Sequence, residues 1–212
     1  MSRGIDRFEG AIAAAGFASG HMTVVGMWHD SPLGAFADVM WIHPDGRRVL
    51  LAPSPAVRDF VTSVYAFDET RIVPVTGGWN GRDIAVQAGP LYLRLAPRPR
   101  DWRSWVFAAR PRVLRRSPTW LAFEDRLAPL LARPLLGGAP GVRLAGVTPG
   151  GRQEWFSVDD YRPLADGRLK VEGADAGPLV ALRPGLGVGL SDFPTRPALV
   201  QLATLIEAPA AG

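Results

Sequence analysis

Between residues 20 and 95 apolar and polar side chains alternate with period two, in short runs cut by turn signals at 31–34, 44–46 and 77–81. That rhythm suits strands with a buried face, and tight turns make neighbouring strands antiparallel. "MTVVGMWHD", "FADVMWIH" and "RRVLLAP" read as the first three strands, linked by "SPLG" and "PDG". Pro32 fixes φ in the first turn, and Gly34 is free to take positive φ. "TRIVPV" and "DIAVQA" read as strands joined through "TGGWNGR", with Asn80-Gly81 as its turn, and "LYLRL" reads as another. A helix at 54–64 interrupts the series. Ser54 caps it, Pro55 opens it, and Val57, Phe60, Val61 and Val64 mark one apolar face. Ahead of all this, Ile5, Phe8, Ile12 and Ala15 recur at helical spacing, and Gly16 can end that helix.

The pattern changes near residue 98. Asp101 can cap a short helix carrying Trp102, Trp105, Val106 and Ala109 on one side. Ser117-Pro118 opens another through Trp120, Phe123, Leu127 and Leu130, which Pro129 limits or kinks. Strands return at "VRLAGV", "QEWFSV" and "ALVQLATLI". No repeat and no regular βαβ alternation is present. The expected fold is therefore one α+β domain over residues 1–212. It is a mostly antiparallel, strongly curved β-sheet or β-barrel with a few flanking helices, and it carries a helical Arg/Trp-rich insertion at about 98–136.

Composition removes several functions. Without cysteine there is no disulfide, thiolate nucleophile or thiolate metal site. No apolar run reaches the roughly eighteen residues of a membrane span, and "MSRGIDRFEG" lacks a signal peptide's apolar core, so the expected location is cytoplasmic. The 24 basic residues include a single lysine, Lys170, a bias that suggests GC-rich coding. The net charge of +4 is unevenly spread. Arginines 94, 98, 100, 103, 110, 112, 115 and 116 face only Asp101 in their segment, a local charge of +7 against −3 for the rest. Trp102, Trp105, Phe107 and Trp120 interleave with them. One reading is an anionic-surface site built on Arg112, Arg115, Arg116, Trp102 and Trp105. A membrane surface fits it better than nucleic acid, for which no recognised motif is present, although Pro111 and Pro118 break the apolar stripes. The other reading is a pair of amphipathic helices covering an open barrel end, tryptophans inward and arginines outward.

Phe36, Asp38, Met40 and Ile42 share one face of their strand. A carboxylate among large apolar side chains sits either at an edge or in a pocket. The stretch "TVVGMWHDSPLGAFADVMWIHPDG" resembles the N-terminal signature of the acetoacetate decarboxylase-like superfamily: a strand, Ser-Pro-Val-Gly-Pro-Tyr, one residue, Glu, and another apolar strand. Ser31, Pro32 and Gly34 match; Leu33, Phe36 and Asp38 are similar substitutes; Ala35 departs from the second proline. Further on, "VYAFDETRIVPV" puts Tyr65 and Phe67 in the aromatic and apolar places, Asp68 where the family has proline, and Glu69 where its decarboxylating members carry lysine.

The resemblance spans roughly residues 20–75. It implies a curled sheet or barrel around an apolar small-molecule pocket. The ligand-binding residues would be Phe36, Met40, Asp38, Glu69 and Arg71, the last three at the polar end. Glu69 cannot form an imine, and Lys170, in "DGRLKVEG", reads as a solvated hairpin residue after an Asp-Gly turn, so Schiff-base decarboxylation is not expected. Glu69 and Arg71 share a strand face. They either orient a polar ligand and move a proton, or form a structural salt bridge at a barrel mouth.

His29, beside Asp30, and His43 fall at the ends of adjoining strands, where two imidazoles could meet; His21 lies nearby. A metal site needs three or four converging ligands and no ligand-spacing motif is present, so neither metal nor cofactor is expected. "RPGLGVGLSDFP" matches neither a dinucleotide fingerprint nor a phosphate loop, and reads as a close backbone approach or a bent connection. Ser19 and Ser191 lack a Gly-x-Ser-x-Gly setting. Three functions stay open. The first is binding of a small apolar or amphipathic ligand in an apolar pocket without Schiff-base chemistry. The second is non-catalytic binding of an anionic surface through the Arg/Trp segment. The third is lyase or hydrolase activity using carboxylate acid–base chemistry. Oligomeric state is not readable from the sequence.

Overall fold

The alternating runs become strands of one mixed sheet. The computed structural model describes residues 4–111, 114–136, 143–185, 187–189 and 193–208, with side chains outside 128–136. In chain order the elements are β1 (Ile5–Phe17), β2 (Met22–Asp30), β3 (Phe36–Ile42), β4 (Arg48–Ala52), α1 (Pro55–Val64), β5 (Glu69–Ile72), β6 (Val75–Asn80), β7 (Asp83–Ala88) and β8 (Leu91–Pro97). Then come α2 (Trp102–Ala108), α3 (Pro118–Leu136), β9 (Ala145–Val147), β10 (Gln153–Val171), β11 (Ala174–Asp175), β12 (Leu179–Val180) and β13 (Ala198–Glu207). Neighbours along the sheet run β5-β4-β3-β2-β1-β13-β10-β8-β7-β6, with β9, β11 and β12 attached at its sides. Pairing is antiparallel except between β4 and β5, where α1 supplies a parallel crossover. The fold is α+β, and its sheet is strongly curled.

Curvature has a visible source in β10. Its first half pairs with β13 and its second with β8, with register shifts between Val158 and Asp160 and between Leu164 and Asp166. Each shift bends the strand and adds twist, so β10 passes from one half of the sheet to the other. The curl returns β6 over β2 and β3: a Cβ built on Gly77 would stand 3.2 Å from the Ala37 methyl group and 3.7 Å from Met27. The sheet does not close into a barrel, because β5 and β6 remain its two edges.

Strand parity assigns the two faces. Ala13 and Phe17 of β1, Val25 of β2, Val39 and Trp41 of β3 and Leu51 of β4 point inward. There they meet Ile84, Val86, Leu93, Leu95 and Leu169 in the main core. The interior of the curl is thus packed with apolar side chains. The opposite face of β1, β2, β3, β10 and β13 lies partly beneath α1, which buries Val57, Val61 and Val64. Ser54 caps α1, its hydroxyl accepting from the Val57 amide at 3.3 Å.

Five local expectations are corrected. Residues 5–15 are strand, not helix: β1 lies between β2 and β13 with both faces packed, and its alanines let the neighbours approach closely. Here tertiary pairing overrides helical spacing. "TGGWN" belongs to β6, so the β6–β7 turn is only Gly81-Arg82. Asp166-Gly167 continues β10 at a bulge, and the hairpin comes later, at Glu172-Gly173 with Gly173 at φ 85°. Pro129 does not end α3, which runs on to Leu136. Of the expected strand "VRLAGV" only Ala145–Val147 pairs, and its first residue lies outside the described residues.

Candidate functional site

On the face of the sheet turned away from the main core lies a cavity of about 120 Å³. Phe8, Ile12 and Ala14 of β1, Val24, Gly26 and Trp28 of β2, and Phe36, Asp38 and Met40 of β3 line one side. Phe156 and Val158 of β10 and the even-numbered residues of β13 from Ala198 to Ile206 line another, and Phe60, Val61 and Tyr65 close it from α1. One strand face supplies Phe36, Asp38 and Met40 together, as their spacing requires.

Asp38 is 2% exposed. Its Oδ1 accepts from the Trp28 indole at 3.3 Å, and burial pushes its carboxyl up to about 7 despite that bond. The residue opposite Asp38 on β2 is Gly26. A methyl group there would stand 2.4 Å from Asp38 Oδ1 and 2.7 Å from Trp28 Nε1. Glycine therefore keeps open the space in which carboxyl and indole meet.

A second carboxyl lies on the same face. Glu154, fully buried on β10 opposite Ile206, accepts at Oε1 from the Tyr65 hydroxyl. Burial pushes it up to about 7, against the hydrogen bond from Tyr65 and the charge of Arg152. Its Oε2 has no partner among the described residues, nor has the hydroxyl of Thr204, which lines the cavity. Tyr65 is itself held well above the usual phenol range, first by burial, then by Glu154 and by the charge of Asp38. Tyr65 caps the C-terminus of α1 in extended conformation, its amide donating to Val61 O at 2.9 Å. Its ring packs on Gly189, where a Cβ would approach to 2.8 Å. The site is thus an apolar cavity lined by the Asp38 carboxyl and the Tyr65 phenol, with Glu154 bonded to that phenol on the same sheet face. No arginine, lysine or histidine among the described residues pairs with either carboxyl.

Glu69 and Arg71 lie elsewhere. They sit on edge strand β5, paired with each other at 2.5 Å, and Arg47 joins Glu69 at 3.0 Å. The crossover through α1 puts β5 beyond β4, away from the cavity-facing strands. Arg71 and Arg47 hold the Glu69 carboxyl below its ordinary range, Arg71 chiefly. Near them the Trp41 ring stacks on His43 with centroids 3.8 Å apart and donates from Nε1 to His21 Nδ1 at 3.1 Å. The imidazoles that meet are therefore His21 and His43, 5.5 Å apart. His29 ends β2 at its opposite, exposed end because β2 and β3 are antiparallel. No group of three or more potential metal ligands forms among the described residues.

The Arg/Trp segment inverts its expected polarity. Arg116 turns inward to Asp159 at 2.6 Å, Ser157 at 2.9 Å and Glu9 at 3.2 Å. Arg110 pairs with Glu124, Arg103 with Asp101 and Arg100 with Asp160. Arg115 donates to Arg110 O at 2.9 Å and stands 3.9 Å from Asp159. Glu9 on β1 and Asp159 on β10, distant in sequence, draw the Arg116 guanidinium in, while Trp102 and Trp105 stand outward, 53% and 75% exposed. Arg112 lies outside the described residues, as does Ser191. Lys170 is exposed on the second half of β10, opposite Asp175. No helix among the described residues is long and apolar enough to cross a membrane.

The sequence alone does not mark Trp28, Tyr65, Glu154 and Thr204 as site residues. For Glu154 a signal exists: in "QEWFSV" it alternates with Phe156 and Val158, as Asp38 alternates with Phe36 and Met40. Trp28 and Tyr65 look like ordinary apolar residues until the fold gives them carboxyl partners.

No family model matches the chain, and no curated protein matches it. Among solved structures the fold is weakly similar to that of acetoacetate decarboxylase. One such structure has a TM-score of 0.43 at 10% identity, over 97% of this chain and 87% of that one. The acetoacetate decarboxylase from Legionella pneumophila has a TM-score of 0.43 at 9% identity, over 97% of this chain and 85% of that one.

Proposed function

We propose that the protein binds a small amphipathic molecule in the cavity between the sheet and α1, with the apolar body against the aromatic walls and the polar end at Asp38. One observation carries this reading: a carboxyl 2% exposed, set in an apolar enclosure, with a single long hydrogen bond from Trp28. Burying an acid this way costs stability, and a ligand that satisfies it offsets the cost. The internal pairing of the described arginines argues against an anionic surface as partner. The exposure of Lys170, far along β10, argues against imine chemistry.

The test is calorimetric titration with three probes of one shape, 2-phenylethylamine, 2-phenylethanol and 3-phenylpropionate, against the wild type and Val200→Trp. Val200 lines the cavity, and an indole there fills it. Saturable binding of at least one probe, lost in Val200→Trp, supports the reading; no saturable binding of any probe ends it.

A second reading, acid–base turnover of the bound molecule, is favoured by the proton affinities of Asp38 and Glu154, both near neutrality. It calls for deuterium exchange next to the carbonyl of 1-phenylpropan-2-one, followed by NMR and abolished in Asp38→Asn. Unchanged exchange in that variant removes it.

A further inference from the structure

The described residues lining the cavity give Asp38 one hydrogen-bond donor, the Trp28 indole. The Trp28 N–H is spent on Asp38 and the Tyr65 O–H on Glu154. Asp38 takes no other hydrogen bond, and Glu154 Oε2 takes none. When ionised, Asp38 places negative charge in the enclosure without a salt-bridge partner among the described residues. The surrounding walls are electron-rich. Phe8 is their hub, with ring centroids 4.7 Å from Phe60, 5.8 Å from Trp28 and 6.4 Å from Phe36. A cation already uses one of these faces, since the Arg152 guanidinium stands 5.1 Å over the Phe60 ring. Aromatic faces attract cations and repel anions, and a buried carboxylate beside them adds the same preference.

Resting on the cavity reading above, we infer that the ligand carries a protonated amine at the end that reaches Asp38. An ammonium group brings donors to a site short of them and neutralises the charge that burial opposes. A carboxylate ligand would set like charges together in the same enclosure. A neutral alcohol supplies one hydrogen bond and no charge. Charged groups elsewhere on the lining are the exposed Arg143, which pairs with Asp125 at 2.8 Å, and the exposed Arg196. Both arginines are exposed, whereas Asp38 is buried.

The three probes decide the matter by rank and by pH. The amine should bind about tenfold or more tighter than the alcohol, and the carboxylate weakest. Amine affinity should rise from pH 6 to pH 8, because Asp38 must lose its proton to pair and the amine stays charged across that range; alcohol affinity should fall or stay level. Asp38→Asn keeps the shape of the side chain and removes its charge. It should erase the difference between the two, bringing the amine down to the level of the alcohol measured on the same variant. Alcohol or carboxylate binding as tight as the amine, or an amine preference that survives in Asp38→Asn, overturns this inference while leaving the cavity as a binding site. If none of the probes binds, both the cavity reading and the inference fall.

Discussion

The hydroxyl of Tyr65 donates to Glu154 across 89 residues of chain, tying the exit of α1 to the first half of β10. Tyr65→Phe removes that donor and leaves Glu154 buried with neither oxygen paired. The expected loss is about 1–3 kcal/mol. It should be larger at pH 8 than at pH 5, because the lost bond favours the ionised carboxyl and Glu154 will hold its proton more tightly without it. Thermal unfolding at the two pH values checks both the sign and the trend.

Asp38 binds its proton more tightly in the folded chain, at about 7, than at its ordinary 3.8. Its contribution to stability is therefore full below about pH 4 and is lost as pH rises through 7. The penalty by pH 8 is on the order of 4 kcal/mol. Asp38→Asn never ionises, so its melting temperature should exceed that of the wild type at pH 8 and approach it at pH 5. A variant less stable than wild type at pH 8 would contradict this account of the buried acid.

Gly26→Ala should push the Asp38 carboxyl away from the Trp28 indole, since the new methyl group would overlap both. A loss of about 1–3 kcal/mol is expected, read from the denaturant midpoint, together with a shift in tryptophan emission. Wild-type emission and an unchanged midpoint would mean that the backbone absorbs the group without disturbing the pair.

Arg116→Ala strips a guanidinium from Glu9, Ser157 and Asp159 at once, with side chains only about a quarter exposed. Stability should fall by about 2–3 kcal/mol. Co-sedimentation of the wild type with anionic vesicles should show no binding that weakens with salt, because these arginines are already engaged. Salt-sensitive retention would restore the anionic-surface function.

Lys170 should form no adduct. Borohydride with a 1,3-dicarbonyl should leave the protein mass unchanged, as the amine is exposed in a hairpin arm and no enclosing pocket holds a carbonyl against it. A reduced imine on Lys170 in the mass spectrum would reverse this.

The site was readable wherever one strand carries it. Phe36, Asp38 and Met40 share a face by period two, and that periodicity needs no partner to be seen. Glu69 looked equivalent because it follows α1 closely in sequence. The parallel crossover, which no local pattern encodes, carries it to the sheet edge. β1 misled for a related reason: a strand packed on both faces loses its alternation, and its alanines then imitate a helix. The partners of Arg116 were not legible for a different reason: Glu9 and Asp159 lie on strands far away in sequence.

The sheet order has a consequence for how the chain is made. β13 is inserted between β1 and β10, pairing Glu207 with Ile5. On the ribosome, β1 can form its hairpin with β2 early, but its other edge stays open until Ala198–Glu207 has emerged. β10 waits on the same strand along its first half. Such long-range closure is slow, and an apolar edge kept open meanwhile invites pairing with other nascent chains. Chains released before Ala198 should accumulate as aggregates, while those that include β13 refold from denaturant in a single late step that completes both ladders.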